Sequence, residues 1–473
     1  MVHRRMNVRQ FITASRRGKI DLEKFYSNLF KEIEKIEKKF RPMAAISKPV
    51  PGQLEQASKK AKHSKLAGLP VSAKDCICVK GVQSAAGSRI LEGYIPPFDA
   101  TAVSRVRDEG GLIIGKTNQD EFGFGTFSVN SGFGVPRNPL DRARSAGGSS
   151  GGAAALVAAL DLPHIALAES TGGSISCPAS FCGVVGLTPT YGRVSRYGLI
   201  DYANSMDKIG PVARNVWDAA LMLSVIAGHD PKDSTSLYKK QEEYERCLKQ
   251  GPSGISIGIP KEYFGEGIDD AVEKQVWNAI KKLESLGANY SEISLPKTDY
   301  ALPAYYIIAC AEASTNLAKL CGMRYGPGVP LSGNFNEYFS KVRTKYFGGE
   351  AKRRILLGTY ARMAGYRDQY YLRAMKVRTL ITNEFKQAFK RFDVLAAPTM
   401  PVIAPRFSEI SKLTPLENYM MDVLTVAPNL AGIPMISVPC GNVHGMPVGL
   451  HVMGDHLQEG KVLGAAEALE EAK

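Results

Sequence analysis

Two glycine-flanked serines and one lysine carry the chemistry that this sequence offers. Ser149 lies in Gly147-Gly148-Ser149-Ser150-Gly151-Gly152, Ser174 closes Ser170-Thr171-Gly172-Gly173-Ser174, and Lys74 ends the run Gly68-Leu69-Pro70-Val71-Ser72-Ala73-Lys74. A serine hydroxyl is a poor nucleophile until a base takes its proton, and the usual base is histidine. None of the seven histidines shares a motif with either serine. His164 is nearest, but it sits inside an apolar run, where a core or strand-end role fits it. Lysine serves instead when it is neutral as it acts, a state favoured by burial or by a nearby cation. The apolar residues before Lys74 suit a partly buried setting; alone, it would read as an ordinary surface lysine at a strand end. Together the three are the parts of a Ser-Ser-Lys hydrolytic site, and they point to cleavage of an amide.

Glycines around Ser149 and before Ser174 permit close backbone approach and leave amide N–H groups free to point at an anion. An oxyanion hole needs such donors, and Thr171, Gly172 and Gly173 are the candidates for the negative oxygen of a tetrahedral intermediate. A flexible turn or a phosphate cradle would use the same composition, although no Gly-Lys-Ser/Thr follows to make a nucleotide loop.

The elements that must position these residues follow from periodicity. Residues from about 64 to 227 alternate short apolar runs with small-residue turns and read as the catalytic core. Within it, Leu112 to Ile114 and His164 to Ala168 read as buried strands, and Ala153 to Leu160 as a helix opening directly after the glycine-rich loop. Before it, Leu22, Phe25, Leu29, Ile33, Ile36 and Phe40 recur at helical spacing, so residues 1–63 form an N-terminal helical region. A polar connection spans about 228–254. Beyond it, Ile255 to Ile259, Ala271 to Leu286 and Tyr290 to Leu295 make a strand-helix-strand unit. A long helical pattern from about Tyr366 to Phe392 then runs into a strand at Asp393 to Ala397.

Composition narrows the class. At 473 residues the chain can bury one large α/β core or two to three ordinary ones. No apolar run approaches the ~20 residues of a membrane span, so no membrane association is expected. The net charge of +14 favours an acidic partner such as RNA, although Lys and Arg are spread along the chain, as on an ordinary basic surface. Eight scattered cysteines lack paired CxxC spacing, which argues against a zinc site and a disulfide framework and for reduced thiols. Arg4, Arg5, Arg9, Arg16 and Arg17 give the N-terminus the look of an organellar leader. The amphipathic pattern that follows at once favours a structural helix, and the cytoplasm is the expected location.

Lys74, the Gly147 to Gly152 loop and Thr171-Gly172-Gly173-Ser174, in that order, resemble the amidase signature family. The resemblance extends through Pro178-Ala179-Ser180-Phe181-Cys182-Gly183-Val184-Val185-Gly186-Leu187 and Tyr191-Gly192-Arg193-Val194-Ser195-Arg196-Tyr197-Gly198-Leu199. These runs look like one branch, the A subunits of glutamyl-tRNA(Gln) amidotransferases. Similarity continues through Lys352-Arg353-Arg354-Ile355-Leu356-Leu357-Gly358-Thr359-Tyr360, Lys376-Val377-Arg378-Thr379-Leu380 and Asn429-Leu430-Ala431-Gly432-Ile433-Pro434. The resemblance implies an α/β fold with a mixed central sheet flanked by helices, residues 64–473 forming one amidase domain whose second part spans about 255–473. It implies Ser174 as nucleophile, Ser149 as the bridging serine and Lys74 as base. Tyr305, Arg354 and Asp422 match the family's glutamine-binding residues, and an Arg fork and an Asp suit the α-carboxylate and α-ammonium of glutamine. Other readings of these residues are a solvated helix face for Arg353-Arg354, a core aromatic for Tyr305, with Tyr306 able to take its role, and a surface carboxylate for Asp422. The family further implies ammonia transfer to a B subunit that activates tRNA-borne glutamate or aspartate with ATP and magnesium, and a small C subunit. No cofactor is expected in this chain, and tRNA is expected mainly on the B subunit.

Where the family usually has Asp before Thr-Gly-Gly-Ser and Arg two residues after the nucleophile, this chain has Ser170 and Ser176. Losing one partner of a buried ion pair strands a charge at a cost of several kcal/mol, whereas losing both is nearly neutral. A retained fold is therefore expected. Gln119, Phe124 and the run Leu320-Cys321-Gly322 also depart from the bacterial-type pattern. Two rival readings remain at this point, a stand-alone small-molecule amidase and a non-catalytic scaffold.

Overall fold

The computed structural model describes residues 6–250 and 253–472, so Arg4 and Arg5 lie outside the described residues. Among the described residues, eleven strands form one sheet: β1 (Met43–Ile46), β2 (Pro70–Lys74), β3 (Leu112–Thr117), β4 (Ile165–Ser170), β5 (Val185–Thr188), β6 (Lys208–Ala213), β7 (Ser256–Pro260), β8 (Asn289–Ile293), β9 (Val394–Pro398), β10 (Met435–Val443) and β11 (Met446–Gly454). Their order across the sheet is β1-β3-β2-β4-β6-β5-β10-β11-β9-β7-β8. The sheet is mixed. β3, β2 and β4 run parallel, as do β8, β7 and β9, while β1, β6, β5, β10 and β11 pair antiparallel with their neighbours.

The three parallel strands at the heart of the first half are buried at every residue, because helices cover both faces. Lys74, Thr117 and Ser170 are the last residues of β2, β3 and β4. All three therefore sit at carboxyl ends, where sheets of this kind leave room for a ligand. Lys74 pairs with Thr117 across the β2–β3 ladder, and Ser170 with Lys208 across β4–β6.

The helix expected after the glycine-rich loop is Gly151–Ala159, and it opens within the loop rather than after it. In the N-terminal region, helix Val8–Arg16 is followed by Leu22–Phe40. The latter buries Leu22, Phe25, Tyr26, Leu29, Phe30, Ile33 and Ile36 on one stripe, and its N-cap Asp21 accepts the Lys24 amide at 3.0 Å. That region is not purely helical, since β1 adds an edge strand to the sheet beside β3. The strand-helix-strand unit appears as β7, helix Asp270–Ser285 and β8, with β7 and β8 parallel. The long helical pattern near the C-terminal half is broken by a π-type turn at Asp368–Leu372 before helix Arg373–Ala388. The eight cysteines are free thiols, and among the described residues no helix is long and apolar enough to cross a membrane.

Candidate active site

Lys74 is fully buried at the end of β2, and its side-chain nitrogen meets three oxygen atoms. Nζ lies 2.7 Å from Ser149 Oγ, 2.9 Å from the Glu169 carbonyl and 2.8 Å from Glu169 Oε2. The surface-lysine reading is thereby excluded. The Gly148–Ser149 peptide is cis. Next in the chain, the Ser150 amide donates to the Ser174 carbonyl at 3.2 Å, and Ser150 Oγ donates to the Glu169 carbonyl at 3.0 Å. The two serine loops are thus tied to one another and to the end of β4. Ser174 itself is 8% exposed, which leaves it reachable from outside while Ser149 is fully buried.

The Thr171-Gly172-Gly173 turn is held from two sides. Thr425 Oγ1 donates to the Gly172 carbonyl at 2.6 Å, and the Tyr305 ring lies close enough against Gly172 that a Cβ there would fall 2.3 Å from Tyr305 Cζ. Glycine is required at both positions, since a Cβ on Gly173 would meet Thr425 Oγ1 at 2.3 Å and its φ is +141°. One of the three expected oxyanion donors is engaged: the Gly173 amide donates to Ser170 Oγ at 3.2 Å. Thr171 and Gly172 remain as the candidate donors.

Arg354, in helix Gly349–Arg362, is 3% exposed, whereas its neighbour Arg353 points outward to pair with Glu350. Four aromatic rings surround its guanidinium, with centroids 5.1 Å (Phe124), 5.7 Å (Tyr202), 5.1 Å (Tyr306) and 5.3 Å (Tyr419) from Cζ. Nε donates to Glu350 Oε1 at 2.8 Å and Nη1 to the Tyr202 hydroxyl. Rings on every side and a carboxylate at the back fix the fork in one orientation. Asp422 accepts from Thr126 Oγ1 at 2.9 Å and from the Tyr306 hydroxyl at 2.6 Å. Burial of its carboxyl group pushes its pKa up to about 6, against those two hydrogen bonds and Arg354, which pull it down. Both of its oxygens keep a second lone pair for an ammonium donor.

Of the two tyrosines, Tyr306 holds Asp422 and stacks on Tyr419 at 4.1 Å, while Tyr305 packs against the Gly172 turn. A continuous path of contacts runs Gly172, Thr425, Asp422, Tyr306, Arg354, because Thr425 Oγ1 also reaches the Asp422 carbonyl at 3.1 Å. Beside it opens a cavity of about 440 Å³, lined among others by Thr126, Asn130, Glu350, Arg354 and Tyr419. His164 stays apart: it is buried with Nε2 2.9 Å from Ser72 Oγ, and burial pushes its pKa down to about 3, so it is neutral.

A model of the Amidase family matches residues 27–463. The chain belongs to the amidase family. Among the relatives of this amidase, the A subunit of the glutamyl-tRNA(Gln) amidotransferase of Methanococcoides burtonii is 52% identical over 405 residues, 86% of this chain and 84% of that protein. Its counterpart of the same name from Halothermothrix orenii is 47% identical over 458 residues, 97% and 95% of the two chains. The crystal structure of the A subunit of the Thermotoga maritima glutamyl-tRNA(Gln) amidotransferase superimposes with a TM-score of 0.82 at 35% identity, covering 99% of this chain and 95% of that one. A peptide amidase from Stenotrophomonas maltophilia has the same TM-score, 0.82, at 29% identity, with 98% and 96% covered.

Several side chains of the amidase site escape a reading of the sequence. Glu169 lies in β4 just past the strand expected at His164 to Ala168, and an acidic residue closing an apolar run is itself a signal of a buried partner. Thr425, Tyr202, Glu350 and Asp207 come from segments whose sequence carries no motif that pairs them with the serines.

Proposed function

We propose that this chain is the glutaminase subunit of a tRNA-dependent amidotransferase. The observation that carries the reading is the path from the Gly172 turn through Thr425 and Asp422 to the caged Arg354. That path joins a guanidinium fork and a carboxylate, groups suited to the two charged ends of a free amino acid, to the turn that precedes Ser174. A simple amide would need neither group. The relatives that carry the name of an amidotransferase A subunit support the same reading.

In this reading Arg354 receives the α-carboxylate of glutamine and Asp422 its α-ammonium, and the side-chain amide reaches Ser174. Ser174 Oγ attacks the amide carbon while its proton passes to Ser149 and the proton of Ser149 toward Lys74. The developing negative oxygen is met by the amides of Thr171 and Gly172. The proton returns through Lys74 and Ser149 to the side-chain nitrogen as the carbon–nitrogen bond breaks, so that ammonia leaves and a glutamyl ester of Ser174 remains, and water then releases glutamate. Ammonia is passed to a B subunit, which supplies the ATP and magnesium chemistry on tRNA-borne glutamate or aspartate, and a small C subunit completes the complex.

The test is glutamate release from glutamine by the chain co-expressed with its B and C subunits, wild type beside Ser174→Ala. Release by the wild type and its loss in the variant are the expected result. A folded wild-type complex that releases no glutamate overturns the reading.

A further inference from the structure

Glu169 is 3% exposed and presents its carboxylate to the lysine of the site. With Ser149 Oγ, the Glu169 carbonyl and Glu169 Oε2 at 2.7, 2.9 and 2.8 Å, all three N–H bonds of a Lys74 ammonium are donated. Such a nitrogen has no lone pair for the proton of Ser149. It gains one only by giving a proton to one of its three acceptors. A backbone carbonyl does not keep a proton, and Ser149 is the group that must lose one. Only Glu169 Oε2 remains.

We infer that Glu169 is the proton acceptor behind Lys74, so that the lysine works as a relay between Ser149 and a carboxylate. The inference rests on the amide-hydrolysis reading above and deepens it. As the Ser174 Oγ–carbon bond forms, the Ser174 proton passes to Ser149 Oγ, the Ser149 proton passes to Lys74 Nζ, and a Lys74 N–H proton passes to Glu169 Oε2. The carbonyl π pair moves onto oxygen. Lys74 ends as it began, an ammonium, and Glu169 ends as a neutral acid. On collapse the proton returns along the same groups to the leaving nitrogen as the carbon–nitrogen bond breaks.

The surroundings of Glu169 support the assignment. Thr171 Oγ1 lies 2.8 Å from Glu169 Oε1 and 2.8 Å from Asp207 Oδ1, and one hydroxyl hydrogen serves only one of them. The second carboxyl must then bring a proton of its own. Burial, added to by the charge of Glu169, pushes Asp207 well above the usual carboxylate range, which makes Asp207 the member that brings the extra proton to this hydroxyl. Titratable groups that feel the charge of Lys74, Glu169 or Asp207 include Lys208, Asp120 and Cys76, with Asp75 and Lys116 beyond Cys76. Burial pushes Lys208 down to about 7 and Asp120 up to about 7.

The rate of Ser174 sulfonylation by phenylmethylsulfonyl fluoride, followed by intact mass from pH 6 to 10 on the co-expressed complex, reads nucleophile activation without glutamine. Glu169→Gln is expected to lower that rate on the order of 10²-fold at neutral pH, the scale of a lost general base. Its rate should then climb roughly tenfold per pH unit toward alkaline pH, because an ammonium must now lose its proton to water. Glu169→Asp keeps a carboxylate and is expected to keep the flat wild-type profile at a rate reduced roughly tenfold, since the acceptor is withdrawn by one methylene. A Glu169→Gln complex reacting within threefold of wild type at neutral pH overturns the relay, as does a wild type that is not sulfonylated at all. Should Glu169→Gln not fold, a folded Glu169→Asp with an undiminished rate overturns it equally. Glutamate release is measured in parallel: a wild type that is sulfonylated but does not hydrolyse glutamine sinks the glutaminase reading and leaves the relay standing.

Discussion

Gly172→Ala should disable the site while leaving the fold nearly intact. The added Cβ would lie 2.3 Å from Tyr305 Cζ and 2.4 Å from its hydroxyl oxygen. Contacts of that kind need about 3.4 Å, so something must move by about 1 Å. Tyr305 cannot yield easily, because it is 3% exposed in helix Ala301–Asn316 and packs edge-on against Tyr306, with ring centroids 5.0 Å apart. The turn must move instead, carrying the Thr171 and Gly172 amides with it. A displacement of that size in a reacting geometry costs about 10²-fold in rate, and loss of one oxyanion donor costs about 10² to 10³. Overpacking costs the fold about 1–3 kcal/mol. Glutamine saturation curves beside a thermal melt are the assay: kcat should fall at least about 10²-fold, KM should move little, and Gly172→Ala/Tyr305→Leu, which removes the obstructing ring end, should recover part of kcat. A Gly172→Ala enzyme with kcat within threefold of wild type would refute the reasoning, because the turn would then tolerate the shift or carry no part of the oxyanion.

Arg354→Lys should raise the KM for glutamine by about 10²-fold with a smaller change in kcat, since a point charge neither matches a carboxylate in two bonds nor fills a four-ring cage; unchanged saturation kinetics would remove Arg354 from the binding role. Stability should depend on pH through Asp218, in the first turn of helix Val216–Ile226, which burial and the neighbouring Glu470 push up to about 8. Folded, it keeps its proton to that pH; unfolded, it loses it near 4, so the folded state binds the extra proton and its contribution fades as pH rises. Between pH 6 and 8 that contribution falls by about 2 kcal/mol. Asp218→Asn, which cannot ionise, should flatten the slope of denaturant midpoint against pH over that range, and an unaltered slope would show that another group sets it.

The strands that carry the site were legible because their runs are short, apolar and buried on both faces, as in Leu112 to Ile114. Their order was not. Nothing in the residues of β10 and β11 says that they lie between β5 and β9, since strand order is set by how crossover helices pack and not by local pattern. The break at Asp368–Leu372 was hidden for a similar reason: its residues keep a helical pattern, and a π-type turn needs no glycine or proline to announce it. In the site, Lys74, Ser149 and Ser174 stood out through their glycine and small-residue flanks. Arg354 and Asp422 entered only by resemblance. Glu169 is marked only by its place at the end of an apolar run, and Asp207 has no such flank, because it acts through contacts made across the fold.

Ser170 and Ser176 take on a physical sense beside those carboxylates. Ser170 is fully buried and spends its hydroxyl oxygen on the Gly173 amide; Ser176 is fully buried with Oγ 3.4 Å from His451 Nε2. Burial pushes His451 down to about 3, so both contacts are neutral and neither serine strands a charge. Successive residues of a strand face opposite ways. At the end of β4 the side facing Lys74 therefore carries an acidic side chain, that of Glu169, while the side facing the Gly173 turn carries none. An aspartate at position 170 would add a second buried carboxylate one residue from the first, with no cation at position 176 to meet it. Ser170→Asp alone should therefore destabilise the chain by several kcal/mol, read as a drop in thermal midpoint above pH 6 that shrinks as acid neutralises the new group. If the variant melts with the wild type at pH 8, the turn has room for a charge, and the neutral pair is not what holds it.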